Sequence, residues 1–154
     1  MKKSCLILLL ILLSCTKEDN KVYSYLDSFP ANKYFDTEVL TGNYQVFYGL
    51  WKAIGAYSGW GGSFKPNFDF LEIKPSGIYG FVRNDTLIEY GKITPNTDII
   101  PNFPGLPVIL DPEYDLNNDS KVRYNMYFEL VRKDTLGVYD GYYDGVSILF
   151  ARSK

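Results

Sequence analysis

Apolar and polar residues alternate most clearly near the C-terminal end of the chain. Between residues 121 and 132 every second side chain is apolar, and this period of two is typical of a strand with one buried face. The pattern recurs between residues 145 and 152. The side chains predicted to point inward are bulky: Tyr124, Met126, Phe128, Leu130, Ile148 and Phe150. The two segments therefore predict half-buried strands around a filled or shallow interior.

Turn signals divide the chain from residue 42 onward into similar short segments. Asn84-Asp85 and Lys133-Asp134 each separate two apolar runs by two residues, which favours tight hairpins. Eight strands are predicted, at residues 43–55 (bent at Gly49), 68–74, 78–83, 86–94, 106–110, 121–132, 135–140 and 145–152, with a polar loop at 111–120. Such strands predict an all-β fold, an eight-stranded antiparallel up-and-down barrel, because closure leaves no exposed sheet edge. A two-sheet sandwich is the alternative.

Composition supports the β prediction and narrows the chemistry. The 154 residues include 14 Tyr and 10 Phe, residue types that favour pleated surfaces. The formal charge is −2 and the basic residues are scattered, so nucleic acid is not an expected partner. The chain has no His, and its two Cys are Cys5 and Cys15. Catalysis by Ser-His-Asp or Cys-His groups is therefore excluded, as are zinc sites built on His.

The acidic residues indicate neither a catalytic pair nor a metal site. A hydrolase without His would need two paired carboxylates, and no such pair stands out in the sequence. Asp115 to Asp119 has the opening spacing of a calcium loop, but Ser120 replaces the turning Gly and Met126 stands at the position of the bidentate acid. We therefore expect no enzymatic activity, no metal and no cofactor.

The N-terminus shows a different pattern. Lys2 and Lys3 precede an unbroken apolar run from Cys5 to Leu13. As a helix this run is about 14 Å long, too short to cross a hydrocarbon core of ~30 Å, and it predicts a signal helix. Leu12-Leu13-Ser14-Cys15 resembles the bacterial lipobox. The resemblance implies that residues 1–14 are removed as a signal peptide and that Cys15 is acylated, for example with palmitate, and anchored in a membrane.

The residues after Cys15 indicate where such a lipoprotein is sent. Thr16 follows the cysteine, so the common Asp signal for retention in the inner membrane is missing. Lys17-Glu18-Asp19 resembles the export signal of lipoproteins from Bacteroidetes. It implies an outer-membrane lipoprotein displayed on the cell surface, with the periplasmic face as the alternative. We expect residues 15–40 to form the lipidated cysteine, a polar tether and a lead-in, and residues 41–154 to form the barrel domain.

Several stretches between residues 40 and 152 resemble the lipocalin-like domains of Bacteroidetes lipoproteins. They are Leu40 to Tyr44, Phe68 to Ile73, Gly77 to Phe81, Leu87 to Ile93 and Asp144 to Arg152. Lipocalins typically carry Gly-x-Trp on the first strand and a late Arg that lies over the Trp. Gly42-Asn43-Tyr44 and Arg152 correspond to these residues, which implies that Arg152 packs over Tyr44. The implied fold is the same barrel, which supports many different functions.

The segment between the first two predicted strands is the main candidate binding site. Residues 57–64 form a glycine-rich loop with three aromatic side chains, Tyr57, Trp60 and Phe64. At the open end of a barrel these side chains would gate a ligand or contact a partner. The alternative is that they only plug the end of the barrel.

Glu89 is the second candidate site residue. Across a two-residue turn it is predicted to face Gly80, where the missing side chain leaves room for a polar group. It is predicted to share a face with Val82, Leu87 and Ile93. A carboxylate buried there would bind a ligand or act as a base with a raised pKa. The alternative is a structural partner for a nearby Lys or Arg.

Two functions follow from these features. The first is a surface lipoprotein that acts as a binding or interaction module, with a small hydrophobic ligand or an envelope protein bound near residues 57–64. The second is a structural or accessory lipoprotein of a cell-envelope complex, with a filled barrel and no small ligand. An eight-stranded barrel either is filled by side chains or holds one small ligand. Whether the interior is filled therefore distinguishes the two functions.

Overall fold

A computed structural model describes residues 24–28, 40–96, 105–115, 123–140 and 145–154. The predicted signal helix, Cys15 and the export signal lie outside these ranges. No helix within them is long and apolar enough to cross a membrane. The described strands are β1 (Gly49–Ser58), β2 (Gly62–Phe64), β3 (Phe70–Ile73), β4 (Ile78–Arg83), β5 (Thr86–Pro95), β6 (Leu106–Asp115), β7 (Tyr124–Arg132), β8 (Thr135–Asp140) and β9 (Val146–Arg152). Short 3-10 helices at Leu26–Ser28 and Gly42–Phe47 precede them.

Eight of these strands form a closed barrel. β1 pairs with β3, each later strand pairs antiparallel with the next, and β9 returns to pair with β1. This closure confirms the up-and-down barrel and excludes the sandwich. β2 is an extra strand that pairs with β1 beyond the residues covered by β3. β1, β4 and β6 all finish at the same end of the barrel. We call this end the hairpin end, because the β1–β2 hairpin lies there.

The structure corrects the predicted first strand. Residues 42–47 form a 3-10 helix rather than a strand, and β1 starts only at Gly49. Gly49 has a φ of 126°, which favours glycine, and a Cβ there would lie 3.2 Å from a guanidinium nitrogen of Arg152. The chain changes conformation at this residue, and β1 then continues to Ser58, past the predicted end at residue 55.

The fifth predicted strand is also longer than expected. β6 continues to Asp115, although the sequence predicts a polar loop from residue 111. Pro112 lies next to a bulge, where the register between β5 and β6 shifts at Tyr90 and Gly91. A bulge tolerates proline because it interrupts the regular ladder of hydrogen bonds. β4 and β8, by contrast, begin and end at the predicted residues.

The barrel interior is filled by large side chains. Trp51, Tyr79, Phe128 and Phe150 are the largest of the fully buried ones, and no more than 1% of any of them is exposed. All six bulky side chains predicted to point inward belong to this core or pack against it. Burial of a large apolar side chain typically stabilises a fold by about 1.5–3 kcal/mol. The interior therefore provides much of the stability of the barrel.

The 3-10 helix Gly42–Phe47 lies at the end of the barrel opposite the hairpin end. Its last carbonyl groups have no partner within the helix, and two side chains bind them. Trp51 donates its indole N–H to the carbonyl of Phe47 at 2.7 Å. Arg152 donates to the carbonyls of Val46 and Tyr48, both at 2.9 Å. These bonds fix the helix to the first and last strands of the barrel.

Arg152 also stacks on Trp51, which corrects its predicted partner. The guanidinium carbon lies 4.1 Å from the centre of the indole ring. Tyr44, the partner that the sequence implies, instead donates its hydroxyl to the carbonyl of Pro107 at 3.1 Å. Gly49-Leu50-Trp51 thus has the Gly-x-Trp spacing at the start of β1, and Gly42-Asn43-Tyr44 lies in the 3-10 helix.

Residues 24–28, which we call the strap, lie on the outer face of β3 and β4. Glu72 is a buried carboxylate that accepts hydrogen bonds from the Ser24 hydroxyl at 2.7 Å and from the Leu26 N–H at 3.0 Å. Leu26 is buried over Gly80, where an added Cβ would come within 2.9 Å of the leucine side chain. Gly80 therefore makes room for the strap rather than for a polar group.

Replacing Leu26 by Ala should lower the free energy of unfolding by about 2–4 kcal/mol, because it removes buried methyl groups and leaves a cavity over Gly80. Urea unfolding of the purified protein measures the change. Val131→Ala is the matched control, since Val131 is exposed, and we expect it to change stability by no more than about 0.5 kcal/mol. Equal effects of the two substitutions would contradict the docking of the strap.

Candidate functional site

The turn between β1 and β2 carries the most exposed large apolar side chain of the described residues, Trp60, which is 85% exposed. The flanking strands pair Ser58 with Gly62 and Ala56 with Phe64. The N–H of Gly61 donates to Ser58 Oγ at 2.7 Å, which closes the turn. Residues 56–64 therefore form a hairpin, which we call the aromatic hairpin, instead of the predicted loop.

Aromatic side chains lie on both faces of the aromatic hairpin. Phe64 pairs with Ala56, which is fully buried and itself pairs with Ile148, a partly buried residue that packs against the core. Phe64 therefore lies on the face that continues the barrel interior. Tyr57 follows Ala56 and points to the opposite face, because neighbouring residues of a strand alternate. Tyr57 and Phe64 are each about half exposed, and Trp60 lies beyond them in the turn.

Three other phenyl rings pack together inside the barrel. The ring centre of Phe68 lies 4.5 Å from that of Phe81 and 5.8 Å from that of Phe150. Phe81 and Phe150 are buried core residues. Beside these packed rings, Trp60 of the aromatic hairpin is 85% exposed, and Tyr57 and Phe64 are each about half exposed.

A cavity of about 360 Å³ lies at the base of the aromatic hairpin, between β1 and the link from β2 to β3. Its lining is mixed and includes Lys52, Ile54, Phe64, Lys65, Phe68 and Asp69. The four largest core side chains do not line it, so it lies at the edge of the barrel rather than along its axis. Its volume is at the lower end of the range for small-ligand pockets.

The aromatic hairpin lies within an uncharged stretch of the chain that has a lysine at each end. Residues 53–64 contain no charged side chain, and Lys52 and Lys65 bound this stretch on its two sides. Both lysines are exposed and line the same cavity. Sequence reasoning identified the three aromatic residues but missed this pattern, although the 12-residue gap between the lysines is visible in the sequence.

Glu89 lies opposite Phe81, not opposite Gly80 as the sequence predicts. A bulge in β5 shifts the register by one residue between Phe81 and Val82. A shift of one residue moves a side chain to the other face of a strand. Glu89 therefore lies on the interior face with Phe81, whereas Gly80 lies on the outer face beneath the strap.

The Tyr79 hydroxyl donates a hydrogen bond to Glu89 at 2.6 Å. Tyr79 is fully buried in the core, and burial together with the neighbouring carboxylate raises the pKa of Tyr79 far above its ordinary value. Glu89 thus accepts the hydrogen bond of a buried hydroxyl, a group that in native proteins generally has a partner. This contact supports the structural role of Glu89.

The described residues contain no group of three or more Asp, Glu, Cys or His side chains that could hold a metal ion. Most of the calcium-like segment, residues 116–119, lies outside the described ranges. A scan against protein-family models and a search of the curated proteins find no match for this chain. Geometry and sequence are therefore the basis for a functional proposal.

The Tyr79–Glu89 contact predicts a specific response to alkaline pH. Above about pH 10 the unfolded chain loses the Tyr79 proton while the folded protein keeps it, so the free energy of unfolding falls as pH rises. Tyr79→Phe should cost about 1 kcal/mol at pH 7 because it removes a hydrogen bond. It should also make the decline above pH 10 shallower by up to ~1.4 kcal/mol per pH unit.

Urea unfolding between pH 7 and pH 11.5 measures both effects. Tyr57→Phe is the matched control, since the half-exposed Tyr57 lies outside the core. Parallel stability curves for the wild-type protein and Tyr79→Phe would contradict the account of the buried hydroxyl.

Proposed function

We propose that this chain is an outer-membrane lipoprotein, anchored through Cys15 and exposed at the cell surface, whose lipocalin-like barrel supports a binding surface at the aromatic hairpin. The observation that carries the proposal is the joint exposure of Tyr57, Trp60 and Phe64 on one hairpin of a filled barrel. The hairpin continues the barrel wall, so the barrel supports this surface.

The location rests on the N-terminal sequence. The positive start, the short apolar run and the lipobox-like Ser14-Cys15 support removal of residues 1–14 and acylation of Cys15. Lys17-Glu18-Asp19 supports export to the outer face of the outer membrane.

The likeness to lipocalins gains support from the start of β1. Gly49, Trp51 and Arg152 combine the Gly-x-Trp spacing with a late Arg stacked on the Trp ring. This is the arrangement that the resemblance implies, found seven residues later in the chain than the sequence suggests. It supports a lipocalin-like barrel and carries no information about a ligand.

Exposed aromatic side chains support the binding surface. Single exposed apolar residues are normal, but clusters of exposed apolar side chains are typical of interaction sites. Trp and Tyr are enriched at such sites because they bury a large area. Trp60, Tyr57 and Phe64 lie within eight residues of one another; Trp60 is almost fully exposed, and Tyr57 and Phe64 are about half exposed.

The filled interior argues against a ligand deep inside the barrel. It favours contacts on the outside, with an envelope component at the aromatic hairpin or a small hydrophobic ligand in the adjoining cavity. The same observation favours the second candidate, an accessory lipoprotein of an envelope complex without a small ligand. Both candidates use the aromatic hairpin as the contact surface.

Thiol labelling in the native envelope tests the proposal. In Trp60→Cys, residue 60 is the only free thiol if Cys5 is removed with the signal and Cys15 is acylated, which intact mass would verify. We expect a membrane-impermeant maleimide to label residue 60 at least ~10-fold more slowly in isolated envelopes than in detergent, because a bound partner covers it.

Val131→Cys is the matched control. Val131 is also an exposed apolar residue, but it lies near the end of β7, at the end of the barrel away from the aromatic hairpin. Its labelling rate should be the same in envelopes and in detergent. Equal rates for residue 60 in the two states would contradict the proposed binding surface.

A further inference from the structure

We infer that the aromatic hairpin inserts into the head-group region of the membrane that carries the lipid anchor. This inference rests on the proposed function and names the partner of its binding surface: a lipid bilayer interface rather than a protein. The barrel would then stand on the membrane with its hairpin end down.

The distribution of aromatic side chains favours lipid over a protein surface. Tyr57 and Phe64 lie on opposite faces of the hairpin, and Trp60 lies in the turn between them. A partner with a flat surface covers only one face of a two-stranded hairpin. A bilayer interface surrounds an inserted segment, so it is the partner that would bury all three side chains at once.

The side chains are also of the types that favour this region. Trp and Tyr are enriched at both water interfaces of membrane proteins, where an apolar ring and a polar group are both accommodated. The stretch from residue 53 to residue 64 carries no charge that would resist entry. Lys52 and Lys65 lie at its two ends, where long cationic side chains reach back to lipid phosphates.

The length of the aromatic hairpin matches a shallow insertion. From Ala56 to Ser58, where β1 ends, a strand rises roughly 7 Å, at ~3.3 Å per residue, and the turn with Trp60 extends beyond it. Interfacial segments lie about 5–10 Å deep, between the head groups and the acyl chains. The turn and the paired residues behind it could therefore enter the interface while the filled barrel stays in water.

The strap reaches the hairpin end of the barrel through the side chain of Tyr25. Tyr25 donates its hydroxyl to Asp85 at 3.0 Å, and its ring stacks on Phe70 at 6.0 Å. Asp85 is in the β4–β5 turn and Phe70 begins β3, so both mark the hairpin end. Two residues later, Asp27 pairs with Lys74 at 2.9 Å, beyond the other end of β3. Ser24 bonds Glu72, between these two positions, so Tyr25 is the strap residue that contacts the hairpin end.

The chain before the strap is short enough to hold the hairpin end close to the anchor. Cys15 precedes Ser24 by nine residues. Fully extended, nine residues reach at most about 31 Å, at ~3.5 Å per residue. An acylated Cys15 would therefore keep the hairpin end near the bilayer, so insertion would be an intramolecular event that needs little intrinsic affinity.

Tryptophan fluorescence tests the inference directly, because the two Trp residues lie in opposite environments. Trp51 is fully buried in the core, and Trp60 is almost fully exposed. The acylated protein, purified from its envelope, is reconstituted into phosphatidylcholine vesicles with or without brominated acyl chains. Bromine quenches only nearby indoles, so we expect at least ~twofold more quenching in the wild type than in Trp60→Phe, which retains Trp51 alone.

Quenching of Trp60 by aqueous iodide, together with the thiol labelling in native envelopes, distinguishes a lipid partner from a protein partner and from no partner. Quenching of Trp60 by bromine together with protection from iodide supports insertion. If Trp60 on pure lipid vesicles is open to iodide and untouched by bromine, insertion is overturned. In that case, protection of residue 60 in native envelopes would indicate a protein partner and leave the proposed binding surface standing. Exposure in both systems would overturn the binding surface as well.

Discussion

Pairing between the first and last barrel strands is the contact on which the rest of the structure depends. β1 and β9 pair from Trp51 with Arg152 to Ser58 with Val146, and this pairing closes the sheet and removes its edges. It also brings Arg152 over Trp51 and within reach of the carbonyls of the 3-10 helix. One guanidinium therefore ties together the last strand, the first strand and the segment that closes one end of the barrel.

The same pairing explains why the aromatic hairpin is held in place at the other end. β3 covers β1 only from Gly49 to Lys52, whereas β9 supports β1 as far as Ser58. The C-terminal part of β1 therefore continues past the end of β3, and β2 folds back to pair with this part of β1. The hairpin is a continuation of the barrel wall rather than a separate loop. Its aromatic side chains remain half exposed at Tyr57 and Phe64 and almost fully exposed at Trp60.

The sequence correctly predicted the turns and strands that depend only on residues close to each other in the chain. The Asn84-Asp85 turn has positive φ at both residues, as a two-residue hairpin requires, and β4 and β8 match their predicted bounds. The predictions were wrong where contacts between residues far apart in the sequence determine the structure. β1 starts at Gly49, which lies against Arg152, and the β5 bulge places Glu89 against Tyr79. The aromatic hairpin was visible as composition, but the position of Lys52 and Lys65 on one cavity depends on β2 folding back.

Amide hydrogen exchange on the acylated protein, compared between detergent and lipid vesicles, tests most directly the claim that a closed barrel presents the aromatic hairpin as its contact surface. The account predicts slow exchange for the paired amides of β1 and β9 in both states, and added protection on vesicles that is confined to residues 56–64. Rapid exchange along the β1–β9 pairing, or added protection spread over the barrel wall with none at the hairpin, would contradict it.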